Sequence, residues 1–196
     1  LEKSRLTKRR SGAKLSYLDE WVISGEREVL PFLNAGVTYL HRSLGRTMED
    51  TQDSSYVNIV NGGDSGEYVI ANPGSPHFPK PSRTYDAVTI KVERKLQNNW
   101  QFLSSYTWSR LRGNYEGYFR RDTGQSDPFI TSLFDFPYLD DPGVWANTSA
   151  DGPLPNDRTH VFNLYGSYRF RFALTTGRGV RVQSGVPITK LGYNEA

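Results

Sequence analysis

Residues 98–111 read NNWQFLSSYTWSRL and alternate strictly. Trp100, Phe102, Ser104, Tyr106 and Trp108 occupy even positions; Gln101, Leu103, Ser105, Thr107 and Ser109 occupy odd ones. The same period recurs along the chain. In 32–42, Leu33, Ala35, Val37 and Tyr39 oppose Asn34, Gly36, Thr38 and Arg42; in 85–96, Val88, Ile90 and Val92 oppose Thr89, Lys91 and Glu93. In 160–170, Phe162, Leu164, Tyr168 and Phe170 oppose Asn163, Tyr165, Ser167 and Arg169. In 172–185, Phe172, Leu174, Val180 and Val182 oppose Thr175, Arg181 and Gln183. The weakest case is 17–29, where Tyr17, Trp21 and Ile23 share a face but Asp19 intrudes. A period of two places successive side chains on opposite sides of an extended chain, so each segment predicts a strand with one apolar face. The predicted strands run over about 15–29, 32–43, 84–96, 99–111, 160–169 and 172–185.

These strands are longer than the five or six residues usual in soluble sheets. They match the length a tilted strand needs to cross a hydrocarbon layer. The connections point the same way. Three are tight, around Pro31, around Asn98–Asn99 and around Arg169–Arg171; two are long, over about 44–83 and 112–159. Short and long alternate, as periplasmic turns alternate with external loops in an outer-membrane barrel. In each tight hairpin the apolar face keeps its parity, which antiparallel pairing allows when the loop residues are odd in number.

The reading is therefore all-β: an antiparallel transmembrane β-barrel fragment of about six long strands, with rings toward lipid and hydroxyls toward a wet lumen. Pattern alone leaves a rival, in which the rings fill a protein core. On the barrel reading Trp21, Trp100, Tyr106, Trp108 and Tyr168 are girdle candidates at the membrane interfaces. Asn34, Thr38, Thr89, Lys91, Gln101 and Asn163 are lumen candidates. Arg178 conflicts with the pattern, because it falls on the nominal lipid face between Leu174 and Val180. A midplane Arg there costs about 2–4 kcal/mol. Gly177 and Gly179 flank it, and a glycine bulge that turns Arg178 inward is expected.

Composition adds limits. With 12 Tyr, 10 Phe and 4 Trp against 1 Met, the chain favours pleated surfaces. The absence of cysteine excludes disulfides, thiolate metal sites and a cysteine nucleophile. A net charge of +3 does not call for nucleic acid, and the basic run at 3–14 reads as a solvated segment. No run approaches the 18 or so apolar residues of a membrane helix. The chain opens mid-pattern without Met, so a piece of something longer is expected. Six strands are too few to close, and an open edge in hydrocarbon leaves backbone groups unsatisfied.

Enzymatic chemistry is not expected. GGDSGEYV at 62–69 has the Gly-Asp-Ser-Gly of a trypsin-like nucleophile, but His41 precedes Ser65 too closely for that architecture to form between them. His41, His77 and His160 are scattered and lack metal-ligand spacing. The acidic stretches 122–127 and 135–143 lack the spacing of a calcium loop and read as solvated turns. Neither metal nor cofactor is expected. Asp157 and Arg158, in PNDRTH at 155–160, are read as an ion pair on the loop rim. Tyr115, Tyr118, Phe119, Phe129, Phe134, Phe136, Tyr138 and Trp145, with Arg120 and Arg121, either pack over the barrel mouth or meet a partner.

Several stretches carry a resemblance. GEREVLPFLNAGVTYLHRSLGRTMEDT, YDAVTIKVERKLQNNWQFLSSYTWSR, and NDRTHVFNLYGSYRF followed by VQSGVPIT resemble the barrel region of Oar-like TonB-dependent receptors. The likeness covers the chain from Leu15 onward; the SYTWSR strand and the DRTH loop end are its most specific parts. It implies a 22-stranded barrel around an amino-terminal plug in the bacterial outer membrane. Members often carry a carboxypeptidase-regulatory-like domain. The implied partners are outer-membrane lipid, the remainder of the barrel and plug, and the inner-membrane TonB energy-coupling complex. The expected role is substrate recognition and passage. Rival readings are an outer-membrane protein that anchors a neighbouring complex, and a soluble all-β module that binds ligand on its loop aromatics.

Overall fold

The computed structural model describes residues 8–9, 12–52, 68–72, 80–117 and 151–188. They form ten strands and no helix: β1 Lys8–Arg9, β2 Tyr17–Leu30, β3 Leu33–Arg46, β4 Glu49–Gln52, β5 Tyr68–Ala71, β6 Arg83–Gln97, β7 Trp100–Gly113, β8 Gly152–Pro153, β9 His160–Arg169 and β10 Thr175–Gln183. Six long strands lie side by side in the order β10-β9-β7-β6-β3-β2, and β8 pairs with β7. Chain contacts divide the protein into two compact units. One holds Glu20–Arg42, Thr84–Leu111 and Pro155–Ala196; the other holds Leu1–Asp19, Ser43–Arg83 and Arg112–Leu154.

In the first unit the tight turns explain why the strands reverse where they do. Asn98 and Asn99 both take positive φ, 53° and 70°. Asn tolerates that left-handed geometry better than most side chains, so an Asn-Asn pair suits a tight turn. At the first turn Phe32 carries φ 67°, and its N–H is held by Glu28 Oε1 at 2.9 Å. The third turn corrects the sequence reading. Arg169 pairs with Thr175, and the Phe170 N–H bonds Leu174 O at 2.7 Å. The tip therefore lies at 171–173 rather than 169–171, with Ala173 at φ 63°. Phe172 and Leu174, assigned to a strand by their parity, belong to the turn.

The bulge expected at Arg178 is absent. Pairing of β10 with β9 is regular throughout, and Arg178 stands opposite Gly166, between Gly177–Ser167 and Gly179–Tyr165. The flanking glycines leave the ladder unbroken, so Arg178 keeps the parity of Val180 and Val182.

The sheet carries no apolar interior of its own. Among the described residues the buried apolar side chains are Ala71, Ala87, Leu111, Tyr115 and Leu154, while Trp21, Ile23 and Phe172 are 69–72% exposed. A soluble sandwich presses its rings between two sheets. Here the face that bears the rings is uncovered, and its apolar area is free to contact hydrocarbon. β2 and β10 form the two edges of the described sheet, which is open.

The second unit contains structure where sequence showed only a long loop. β4 pairs antiparallel with β5, from Glu49–Ala71 to Gln52–Tyr68, and β5 pairs parallel with β1. Asn72 ties this unit together. Its Nδ2 donates to Thr47 O at 2.7 Å and to Lys14 O at 2.8 Å, and its Oδ1 accepts from the Lys14 N–H at 2.8 Å. Glu49 is fully buried and accepts from the Tyr115 hydroxyl. Gly113, at φ 148°, passes so close to Ser82 that a Cβ there would lie 2.1 Å from its carbonyl oxygen. The motif around Ser65, His77, the acidic stretches 122–127 and 135–143, and the loop aromatics from Tyr118 onward lie outside the described residues.

Candidate functional site

The site candidate is a whole face, so strand register decides which side chains share it. Between β7 and β9, Trp100 pairs with Tyr168, Gln101 with Ser167, Ser105 with Asn163 and Trp108 with His160. Odd positions therefore meet odd, and even meet even. Between β9 and β10 Arg181 faces Asn163 and Val182 faces Phe162, again without a change of parity. The Thr89 and Thr107 hydroxyls meet at 2.9 Å, which puts odd positions of β6 and β7 together. Tyr39 Oη donates to Asp86 Oδ1 at 2.9 Å and His41 Nδ1 lies 2.8 Å from the same oxygen, so odd positions of β3 share a face with even positions of β6. Arg42 Nε donates to Glu20 Oε2 at 2.6 Å, joining even positions of β3 and β2.

Chained across the sheet, these contacts bring Asn34, Thr38, Thr89, Lys91, Gln101 and Asn163 to one face. Trp21, Trp100, Tyr106, Trp108 and Tyr168 fall on the other. Both sets are assembled as parity requires.

The polar face is cross-linked by its own side chains. Besides the threonine pair, Asn163 Nδ2 donates to Ser105 Oγ at 3.3 Å, and Lys91 Nζ lies 2.9 Å from Glu93 Oε2. These pairs satisfy donors and acceptors while leaving them wet, the condition of a water-filled surface rather than of a packed core. Toward the short-turn end the face holds a concavity of 410 Å³ whose lining includes Glu93, Lys95, Gln101, Leu103, Tyr165 and Ser167. One feature was missed by the sequence reading, the Glu20–Arg42 ion pair. Glu20 lies next to Asp19, whose intrusion masked the pattern of β2.

The ring-bearing face is layered. At one end Trp100 pairs with Tyr168, the Trp100 ring stacks on Phe102 at 5.8 Å, and the Arg94 guanidinium lies 4.0 Å over Trp100. At the other end Trp108 pairs with His160, Arg110 lies 5.3 Å over Trp108, and the Tyr106 hydroxyl meets His160 Nδ1 at 2.8 Å. Between them stand Phe102, Leu164, Phe162, Val180 and Val182. Rings with polar tips thus bracket a band of phenylalanine, leucine and valine side chains. The Tyr39–His41–Asp86 cluster lies on this same face, and its polar residues at apolar parity were the available signal for it.

Asp157 and Arg158 do not form the ion pair expected of them. Buried Asp157 accepts from the Leu111 N–H at 2.8 Å. Arg158 donates instead to Ser184 O at 2.8 Å, and its own carbonyl accepts from Ser109 Oγ at 2.9 Å. Each side chain therefore braces a different strand: Asp157 holds β7 and Arg158 holds the exit of β10.

Comparison with known proteins agrees with this geometry. The family described as outer membrane beta barrel domain matches residues 10–184. The TonB-dependent transporter Oar of Myxococcus xanthus is 38% identical over 185 residues, covering 91% of this chain and 16% of that protein. The chain thus spans about a sixth of the length of this curated relative. No solved structure matches the chain.

Proposed function

The chain belongs to the outer membrane beta barrel family, as a barrel segment similar to that of the TonB-dependent transporter Oar, and from that premise we propose that its polar face lines a substrate passage across the bacterial outer membrane. Asn34, Thr38, Thr89, Lys91, Gln101 and Asn163 present hydroxyls, amides and one ammonium to water in the lumen. Trp21, Trp100, Tyr106, Trp108 and Tyr168 anchor the opposite face at the two lipid interfaces. The loops after β3 and β7 make first contact with substrate. The segment contributes recognition and gating, not bond chemistry. Passage is driven by an inner-membrane energy-coupling complex acting on the remainder of the barrel and its plug. The observation that carries the reading is the complete separation of these two residue sets onto opposite faces, with the ring-bearing face uncovered.

The absence of cysteine makes the test direct. Single cysteines are placed at Gln101 and Asn163, or at Phe102 and Leu164, in the full-length protein in sealed vesicles. A charged, membrane-impermeant thiol reagent should modify the first pair at least about tenfold faster, because thiolate chemistry requires water. Faster labelling at Phe102 and Leu164 would reverse the assignment of faces. Energised passage is tested separately, by accumulation of candidate substrates with and without a working coupling complex. Unchanged accumulation would favour an architectural role.

A further inference from the structure

Arg178 is the one charge in β10 on the ring-bearing face, and the regular ladder fixes its neighbours. It stands opposite Gly166, which stands opposite Phe102. Thr176 stands opposite Tyr168, which stands opposite Trp100, so Arg178 lies one step further from the turn than the Trp100–Tyr168 row. Among the described residues its guanidinium makes no hydrogen bond and no ion pair.

Gly166 leaves a gap beside it. A Cβ at Gly166 would rest in ordinary contact, 3.5 Å from Gln101 O and 3.8 Å from Phe102 Cβ. The position accepts a side chain and carries none. The result is a backbone-floored slot between Phe102 and Arg178, bounded along β9 by Leu164 and Tyr168. On the far side of the Trp100–Tyr168 pair lies a second cation, Arg94, whose guanidinium lies over Trp100 and donates through Nη2 to Gln97 O at 3.3 Å.

An unpaired guanidinium facing hydrocarbon is unfavourable, and near an interface it extends toward the headgroups and takes up an anion. The anion abundant at that depth is lipid phosphate, which a guanidinium binds in bidentate fashion. The apolar slot beside it suits the first methylenes of an acyl chain. Resting on the barrel assignment above, we propose that Arg178 and the Gly166 slot form a binding site for one phospholipid of the periplasmic leaflet, held by its phosphodiester, with Arg94 as a second cation at the same level. The leaflet follows from the short turns at this end of the strands.

The test uses the full-length protein in detergent, titrated with phosphatidylglycerol and read by native mass spectrometry, with diacylglycerol of the same chains as the phosphate-free control. The wild-type protein should hold one tight phosphatidylglycerol and no diacylglycerol. Arg178→Gln should weaken that equivalent about tenfold or more, while Arg178→Lys retains part of it. Gly166→Leu should weaken it similarly with the charge in place, because the slot is filled. Wild-type retention in both Arg178→Gln and Gly166→Leu, or equal binding of diacylglycerol, overturns the site. Brominated phosphatidylcholine provides the separate check on orientation. If bromine fails to quench tryptophan fluorescence, the barrel assignment fails and the site with it; if bromine quenches but the variants bind normally, the site alone fails.

Discussion

Replacing Leu164 by Arg should destabilise the membrane-inserted protein far more than replacing its neighbour Asn163 by Arg. Leu164 pairs with Ser104 on one side and Val180 on the other. Ser104 lies midway between Trp100 and Trp108, which pair with Tyr168 and His160 at the two ends of the layered face. At about 3.4 Å per residue the two tryptophans are roughly 27 Å apart along β7. A tilt of about 40° reduces this to roughly 21 Å of depth, near the height of an apolar barrel band. Leu164 is then about 10 Å from either interface. A guanidinium there costs about 2–4 kcal/mol, whereas on the lumen face it stays solvated and its penalty is the like charge of Arg181 directly opposite, about 1 kcal/mol or less. Every 1.4 kcal/mol is a factor of ten, so Leu164→Arg should lower the folding equilibrium by about 30- to 1,000-fold. The assay is reversible unfolding of the full-length protein from lipid vesicles by guanidinium chloride, followed by tryptophan emission and by heat-sensitive migration in SDS. The two variants differ by one position and one face, so propensity and depth are nearly matched. Equal losses, or a larger loss for Asn163→Arg, would refute the assignment of faces.

Other predictions test single contacts. Asp157→Ala removes the acceptor of the buried Leu111 N–H, and should cost about 1–3 kcal/mol in the same unfolding assay. Asp157→Asn, which keeps an amide oxygen for that N–H, should recover part of the loss. At the Asn98–Asn99 turn, Asn99→Ala keeps the Cβ crowding at φ 70° but removes the short amide side chain that offsets it, and should cost about 1 kcal/mol. Asn99→Gly should be neutral within a few tenths of a kcal/mol, since glycine takes that geometry freely. Equal effects of the two would show that the turn conformation does not limit stability.

What the amino-acid sequence determined was the identity of the faces. Period-two alternation is a property of the extended backbone itself, so Thr89, Gln101 and Asn163 were committed to the side opposite Val88, Trp100 and Leu164 before any pairing formed. The stretches that resemble Oar-like receptors pointed to the family that the comparison with known proteins then showed. Parity also made the Asn98–Asn99 turn legible, because left-handed geometry selects its residues locally.

Tertiary structure decided everything that depends on which atom lies across from which. The partners of Asp157 and Arg158 are backbone groups of Leu111 and Ser184, far away in the chain, and no local pattern names them. The tip of the third turn moved to 171–173 because the Arg169–Thr175 pairing closes a five-residue loop there, although the ring parity of Phe172 and Leu174 continued through it. The sheet formed by β1, β5 and β4 arises from backbone bonds between segments of two to four residues, too brief to show a period. Arg178 is the clearest case. Glycine on both sides permits a bulge, but only the register of β9 and β10 shows that the ladder continues. Local composition limits the conformations available to a residue, and the long-range hydrogen bonds select one of them.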